Sequence, residues 1–256
     1  MSTRVFAASL YARTKARPIR RRADWDNHNR VRSVRIDIYS DVICPWCFIG
    51  KRRLERALAE RPRDELSLHW RAFQLNPDMP ARGMDRQVYL QLKFGSAASA
   101  ERIYREIRAV GEEEDLAFAF EAIRRTPNTI ESHRLIRFAG SRGRQDAVVE
   151  ALFRAYFLAG EDIGAPEVLL RVAESAGLNP ADARAFLESD LEEAVVRAED
   201  LAARQAGLQG VPTFIINGKF ALSGAHQPEV LHQMFDIGRR DDEAAGSSGD
   251  AGVRES

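Results

Sequence analysis

Apolar and polar residues alternate through Val34, Ile36 and Ile38, and the period then lengthens to that of a helix, with Ile49, Leu54, Ala57 and Leu58 on one stripe. Period two predicts a half-buried strand over about 34–40, and the longer spacing predicts a helix over about 47–60. Arg61-Pro62-Arg63-Asp64 interrupts the helical pattern. Alternation returns at Leu66, Leu68, Trp70 and Ala72, a second strand over about 65–73. A helix between two short strands predicts a right-handed βαβ unit with parallel strands. His69 falls on the opposite face of that strand and reads as an ordinary strand residue.

From about 81 to 206 no stretch carries a strand pattern. Val149, Leu152, Phe153, Tyr156 and Phe157 keep helical spacing, and Pro166 opens a helix with Val168, Leu169, Val172 and Ala173 that closes at Gly177. Ser189-Asp190-Leu191-Glu192 reads as a capping box for a helix ending near Gly207. Strand character resumes at Thr213-Phe214-Ile215-Ile216, with Asn217-Gly218 as a hairpin signal into Phe220-Ala221-Leu222 and a last helix over about 227–237. The expected fold class is therefore α/β with an inserted all-helical domain. Residues 34–78 and 208–238 form the framework and 79–207 the insertion. Residues 1–33 read as a disordered basic extension and 239–256 as a disordered acidic, glycine- and serine-rich tail.

The 256 residues, 45 % hydrophobic, are enough to bury a sizeable core without a disulfide framework. Overall charge is balanced, which argues against a nucleic-acid-binding body, but the first 33 residues carry eight arginines and Lys15 against Asp24 and Asp26. Val5 to Ala12 is short and interrupted for a signal peptide, and Arg20-Arg21-Arg22 lacks the apolar stretch of a twin-arginine signal. The tract also has the composition of an organellar transit peptide or a polyanion-binding arm. No run is long enough for a transmembrane helix. These features set the expectation of a cytoplasmic protein, with no membrane partner.

The chemistry concentrates in Ser40-Asp41-Val42-Ile43-Cys44-Pro45-Trp46-Cys47, which holds both cysteines of the chain at the junction of strand and helix. With Cys44 as the cap and Cys47 in the first turn, the spacing puts both side chains on one face, within reach of a disulfide. Pro45 takes the first helical position, where a missing N–H costs nothing. Unpaired N–H groups and the positive end of the helix dipole favour the Cys44 thiolate, so Cys44 is the expected nucleophile. Cys47, one turn deeper, is placed to attack a mixed disulfide on Cys44. A zinc site would need two more ligands, and its best match, His226 and His232, lies far along the chain on what read as surface positions. Haem attachment would need a histidine where Phe48 stands, and an iron–sulfur cluster more cysteines. No metal is expected. A purely structural disulfide closing so short a loop removes little unfolded-state entropy.

The runs SDVICPWCFIGKRRLERAL and GVPTFIINGKFALSGAHQPEVL together resemble the DsbA-like thioredoxin family, and within it the FrnE type, over roughly residues 33 to 238. The resemblance implies a thioredoxin-like fold with an inserted helical domain, and a thiol–disulfide oxidoreductase of protein or small thiol and disulfide substrates. It requires no cofactor, with glutathione as a candidate redox partner. Cys44 and Cys47 match the redox pair. Val211-Pro212 matches a dipeptide whose proline is cis and faces the sulfurs, and Pro45 and Trp46 match the residues that tune the pair. Pro127 to Arg134 resembles a segment near the active site, which makes Asn128 and His133 candidate cleft residues. Relatives that work as kappa-class glutathione transferases or as isomerases of 2-hydroxychromene-2-carboxylate give the alternative function, but they carry serine where Cys44 stands. A third reading is a redox-sensing or chaperone-like module using the same pair as a switch.

Overall fold

The structure, a computed structural model, describes residues 34–61 and 66–250, with side chains placed as far as Ala244. The expected extension 1–33 lies outside the described residues. Strand β1 (Val34–Ser40) buries Val34, Ile36 and Ile38 on one face, as its alternation requires. Helix α1 (Pro45–Glu60) carries the chain back, and β2 (Leu66–Ala72) pairs with β1 in parallel, Trp70 opposite Ile38.

The inserted block begins with β3 (Met84–Asp85), α2 (Arg86–Phe94) and α3 (Ala97–Glu112), followed by a 3-10 turn at Phe120–Ala122 and β4 (Arg125–Thr126). Five helices follow: α4 (Ile130–Gly140), α5 (Gln145–Phe157), α6 (Pro166–Ser175), α7 (Pro180–Leu187) and α8 (Glu193–Gln205). The chain then returns through β5 (Thr213–Ile216), β6 (Phe220–Ser223) and α9 (Pro228–Asp250). Sheet order is β2-β1-β5-β6, with β5 antiparallel to both β1 and β6. This is the thioredoxin-like order, with the helical block inserted between β2 and β5. Helices α4, α5 and α8 lie against β2, and α1 and α9 pack side by side. One continuous apolar cluster joins sheet and block, from Ile36 and Phe214 through Phe48 to Phe153 and Leu169. Phe48 stacks on Phe153 at 4.9 Å and meets Phe118 edge-on at 6.1 Å, anchoring the first turn of α1 in that cluster.

Four expectations need correction. The region 81–206 contains strand pairing after all, β3 against β4, because a two-residue ladder is too short to leave a period in the sequence. Ser189 does not cap α8. Its hydroxyl donates to Phe186 O at 2.6 Å and so closes the end of α7, while α8 starts from Glu192 in a left-handed conformation with φ 68°. His232 is buried and not on the surface, with its Nε2 3.0 Å from Ala57 O on α1. The last helix does not stop near Ile237. It runs to Asp250, so the tail expected to be disordered from Arg239 is helical up to that point, and only residues beyond it lie outside the description. The hairpin explains the extension: Asn217 Nδ2 donates to Gly238 O at 3.0 Å and Lys219 Nζ holds Asp241 at 2.7 Å.

Candidate active site

The pair is positioned by the end of β1 and the start of α1. Cys44 is the N-cap, with φ −95° and ψ 113°, and Pro45 is the first helical residue, as its spacing predicts. The Cys44 N–H donates to Asp41 O at 3.0 Å, and Cys47 N–H donates to Cys44 O at 3.0 Å. Both cysteines are free thiols. Cys44 is 5 % exposed and Cys47 1 %, so Cys47 is the more covered of the two. Trp46, between them, is 38 % exposed and marks the side on which the turn meets solvent.

The two thiols differ electrostatically. The Cys44 pKa is lowered, first by a hydrogen bond from the Cys47 thiol and further by the backbone N–H groups of Cys47 and Trp46, against burial and the Asp41 charge. The Cys47 pKa is raised well above the ordinary thiol value, first by burial and then by its neighbour Cys44, with a small counter-effect from Ser40. The pair therefore divides into one sulfur that ionises readily and one that holds its proton.

The peptide bond between Val211 and Pro212 is cis. Val211 O accepts a hydrogen bond from Cys44 Sγ at 3.6 Å, which brings this dipeptide to the sulfur from across the sheet. Gly50 fixes the other side of the contact: a Cβ there would lie 3.0 Å from Pro212 Cγ, so α1 approaches the proline this closely because its second turn is bare at that point.

The two candidates from the helical block are placed differently. Asn128, half-buried, donates its amide to Met79 O at 2.6 Å and accepts from Ile130 N–H at 2.9 Å, so it clasps the approach to α4. His133 is 3 % exposed and lies behind the active-site loop, its Nε2 3.5 Å from Asp41 Oδ1, too long for a good hydrogen bond. Asp41, fully buried, was not singled out from the sequence. Its Oδ2 accepts from Leu75 N–H at 2.7 Å, and its main-chain oxygen holds Cys44, so one residue ties the loop to the segment after β2. The signal was present as an acid in an otherwise apolar run before the cysteines. His226 Nε2 is 2.8 Å from Ser223 O.

Residues 35–236 match the model of the DSBA-like thioredoxin domain family. The chain is 32 % identical to a probable DsbA oxidoreductase from Streptomyces coelicolor, a crystal structure superposing with TM-score 0.73 over 80 % of this chain and 89 % of that one. The uncharacterised protein YwbO of Bacillus subtilis is 27 % identical over 204 residues, 79 % of this chain and 96 % of its own length. The cytosolic disulfide reductase DsbM of Pseudomonas aeruginosa, solved with GSH, shares the fold at 17 % identity and TM-score 0.52, over 85 % of this chain and 98 % of that one. With the family model spanning most of the chain and the reactive turn at its expected place in the sheet, the chain belongs to the family of DSBA-like thioredoxin domains.

Proposed function

We propose that the protein is a thiol–disulfide oxidoreductase in which Cys44 attacks and Cys47 resolves. The carrying observation is the division of the pair: the capping sulfur has a lowered pKa and touches Val211 O, and its neighbour one turn deeper keeps its proton. In the reducing direction, the Cys44 thiolate attacks one sulfur of a substrate disulfide, that S–S bond breaks, and the departing thiolate takes a proton. Cys47 then loses its proton and attacks the Cys44 sulfur, releasing the second substrate thiol and leaving a Cys44–Cys47 disulfide. Two electrons pass from protein to substrate, and a second thiol couple restores the dithiol by the reverse steps. Protein or small-molecule disulfides fit this scheme, and a small thiol of the glutathione kind fits the recycling role. The CPWC and GVPTF motifs support placement in the FrnE-type branch. In a reducing, cytoplasmic compartment, reduction or isomerisation is easier to sustain than net oxidation.

The test is Cys47→Ala. Without its resolving thiol, Cys44 accumulates covalently bound partners that dithiothreitol releases, whereas the unmodified protein reduces or reshuffles insulin disulfides. Absence of both adducts and insulin turnover defeats the proposal.

A further inference from the structure

Among the described residues four lysine or arginine side chains are buried: Lys51, Arg53, Arg86 and Arg134. Three face carboxylates, Lys51 that of Asp146 at 3.2 Å, Arg53 that of Glu114 at 2.7 Å and Arg134 that of Glu131. Arg86, 6 % exposed at the start of α2, does not. Its guanidinium donates to Tyr104 Oη at 2.7 Å, Thr126 Oγ1 at 3.1 Å and Tyr156 Oη at 3.4 Å, all neutral hydroxyls. Burial pushes both phenols up, so neither ionises near neutral pH to balance the charge. The rings of Tyr89 and Tyr104 lie 5.5 Å and 5.2 Å from the guanidinium, but no carboxylate among the described residues neutralises it, and a buried cation without an opposite charge is costly.

Arg86 is one of the residues lining a cleft of about 970 Å³ between α2, α3 and the 3-10 turn, and Tyr104, which its guanidinium bonds, lines it too. That volume suits a small organic molecule better than a lone inorganic ion. Tyr104 and Phe120 supply aromatic surface. Arg105 and Arg108 on the rim are paired with Glu101 and Glu121, while Arg124, also on the rim, is exposed and has no ion-pair partner among the described residues. The wall of the cleft is packed onto the helix of the reactive turn through a series of rings: Tyr104 meets Phe120 at 4.6 Å, Phe120 stacks on Phe118 at 4.8 Å, and Phe118 meets Phe48, the residue after Cys47.

We propose that this cleft binds the carboxylate of a small acidic thiol or disulfide, with buried Arg86 as its counter-ion, and so selects anionic substrates for Cys44. The inference rests on the oxidoreductase reading and adds a substrate class to it. A guanidinium can grip a carboxylate through two parallel N–H donors, and Arg86 has donors beyond those its three hydroxyl partners use.

The experiment uses prereduced full-length protein and three small disulfides of similar size: dithiodipropionate, anionic; bis(hydroxyethyl) disulfide, neutral; and cystamine, cationic. Single-turnover formation of the Cys44–Cys47 disulfide is followed against concentration. Dithiodipropionate should half-saturate at the lowest concentration, and Arg86→Gln should raise that concentration by about tenfold or more while leaving the neutral disulfide unchanged. Arg86→Lys, which keeps the charge without the fork, should recover part of the loss. No charge preference in the unmodified protein, or an equal loss for all three disulfides in Arg86→Gln, overturns the inference. Should the variant fail to fold by circular dichroism, the unmodified protein decides: glutarate, which has no sulfur, should compete with dithiodipropionate and bind by calorimetry, and failure to do so overturns the cleft. Binding of glutarate with no turnover of any disulfide would leave the cleft standing and defeat the oxidoreductase reading instead.

Discussion

Cys44 is shielded from solvent, which raises a thiol pKa, and flanked by donors that lower it; the donors win. The rate of Cys44 alkylation by iodoacetamide should therefore reach half its maximum at a lower pH than that of an unperturbed thiol peptide measured alongside, and Cys47 should alkylate only at higher pH. The sign follows from the thiolate being the reactive form: a lowered pKa moves the rising limb towards acid. Asp41 opposes this by placing a negative charge near the sulfur, so Asp41→Asn should shift the Cys44 limb further towards acid while the amide oxygen still accepts from Leu75 N–H. A shift towards alkali in that variant would contradict the charge argument.

Among the elements, α9 shows a composition that conceals its role. Gly238 sits where a Cβ would lie 2.6 Å from Ile216 Cγ2 and 2.7 Å from Val34 Cγ1, so the helix lies directly on the end of the sheet. Alanine would gain about 1 kcal/mol of helix propensity over glycine, but overpacking against two β-branched side chains with stiff rotamers costs about 1–3 kcal/mol. Gly238→Ala should therefore lower the urea midpoint of unfolding with the slope unchanged, and a raised midpoint would show that α9 is not docked there. Helix α1 is held differently. Its buried Lys51 reaches Asp146 and Glu150 on α5, so the reactive helix is fastened by charge as well as by Phe48.

For the molecule as a whole, what was legible in the sequence was what has a short period. The alternation of β1 and β2, the stripe of α1, the Asn217-Gly218 hairpin and the placement of Cys44 and Pro45 all depend on neighbours a few residues apart. What was not legible depends on distant partners. Nothing local to His133 says that its ring will face Asp41, nothing local to Asn128 says that its amide will hold Met79, and the polar sequence after Arg239 hides a helix held by hairpin residues. Arg86 is the sharpest case. In sequence it is one arginine among many, and only the packed structure shows that its neighbours are hydroxyls and not carboxylates.

Whether Cys44 and Cys47 exchange a bond between themselves for one with a substrate is decided by equilibrating the unmodified protein in graded mixtures of reduced and oxidised glutathione, quenching with acid and weighing the species by mass spectrometry. A single two-electron transition from the dithiol to an internal Cys44–Cys47 disulfide is expected, with the mixed glutathione adduct on Cys44 accumulating only when Cys47 is replaced by alanine. Thiols that stay free throughout, or a glutathione adduct that persists on Cys44 with Cys47 intact, would contradict it.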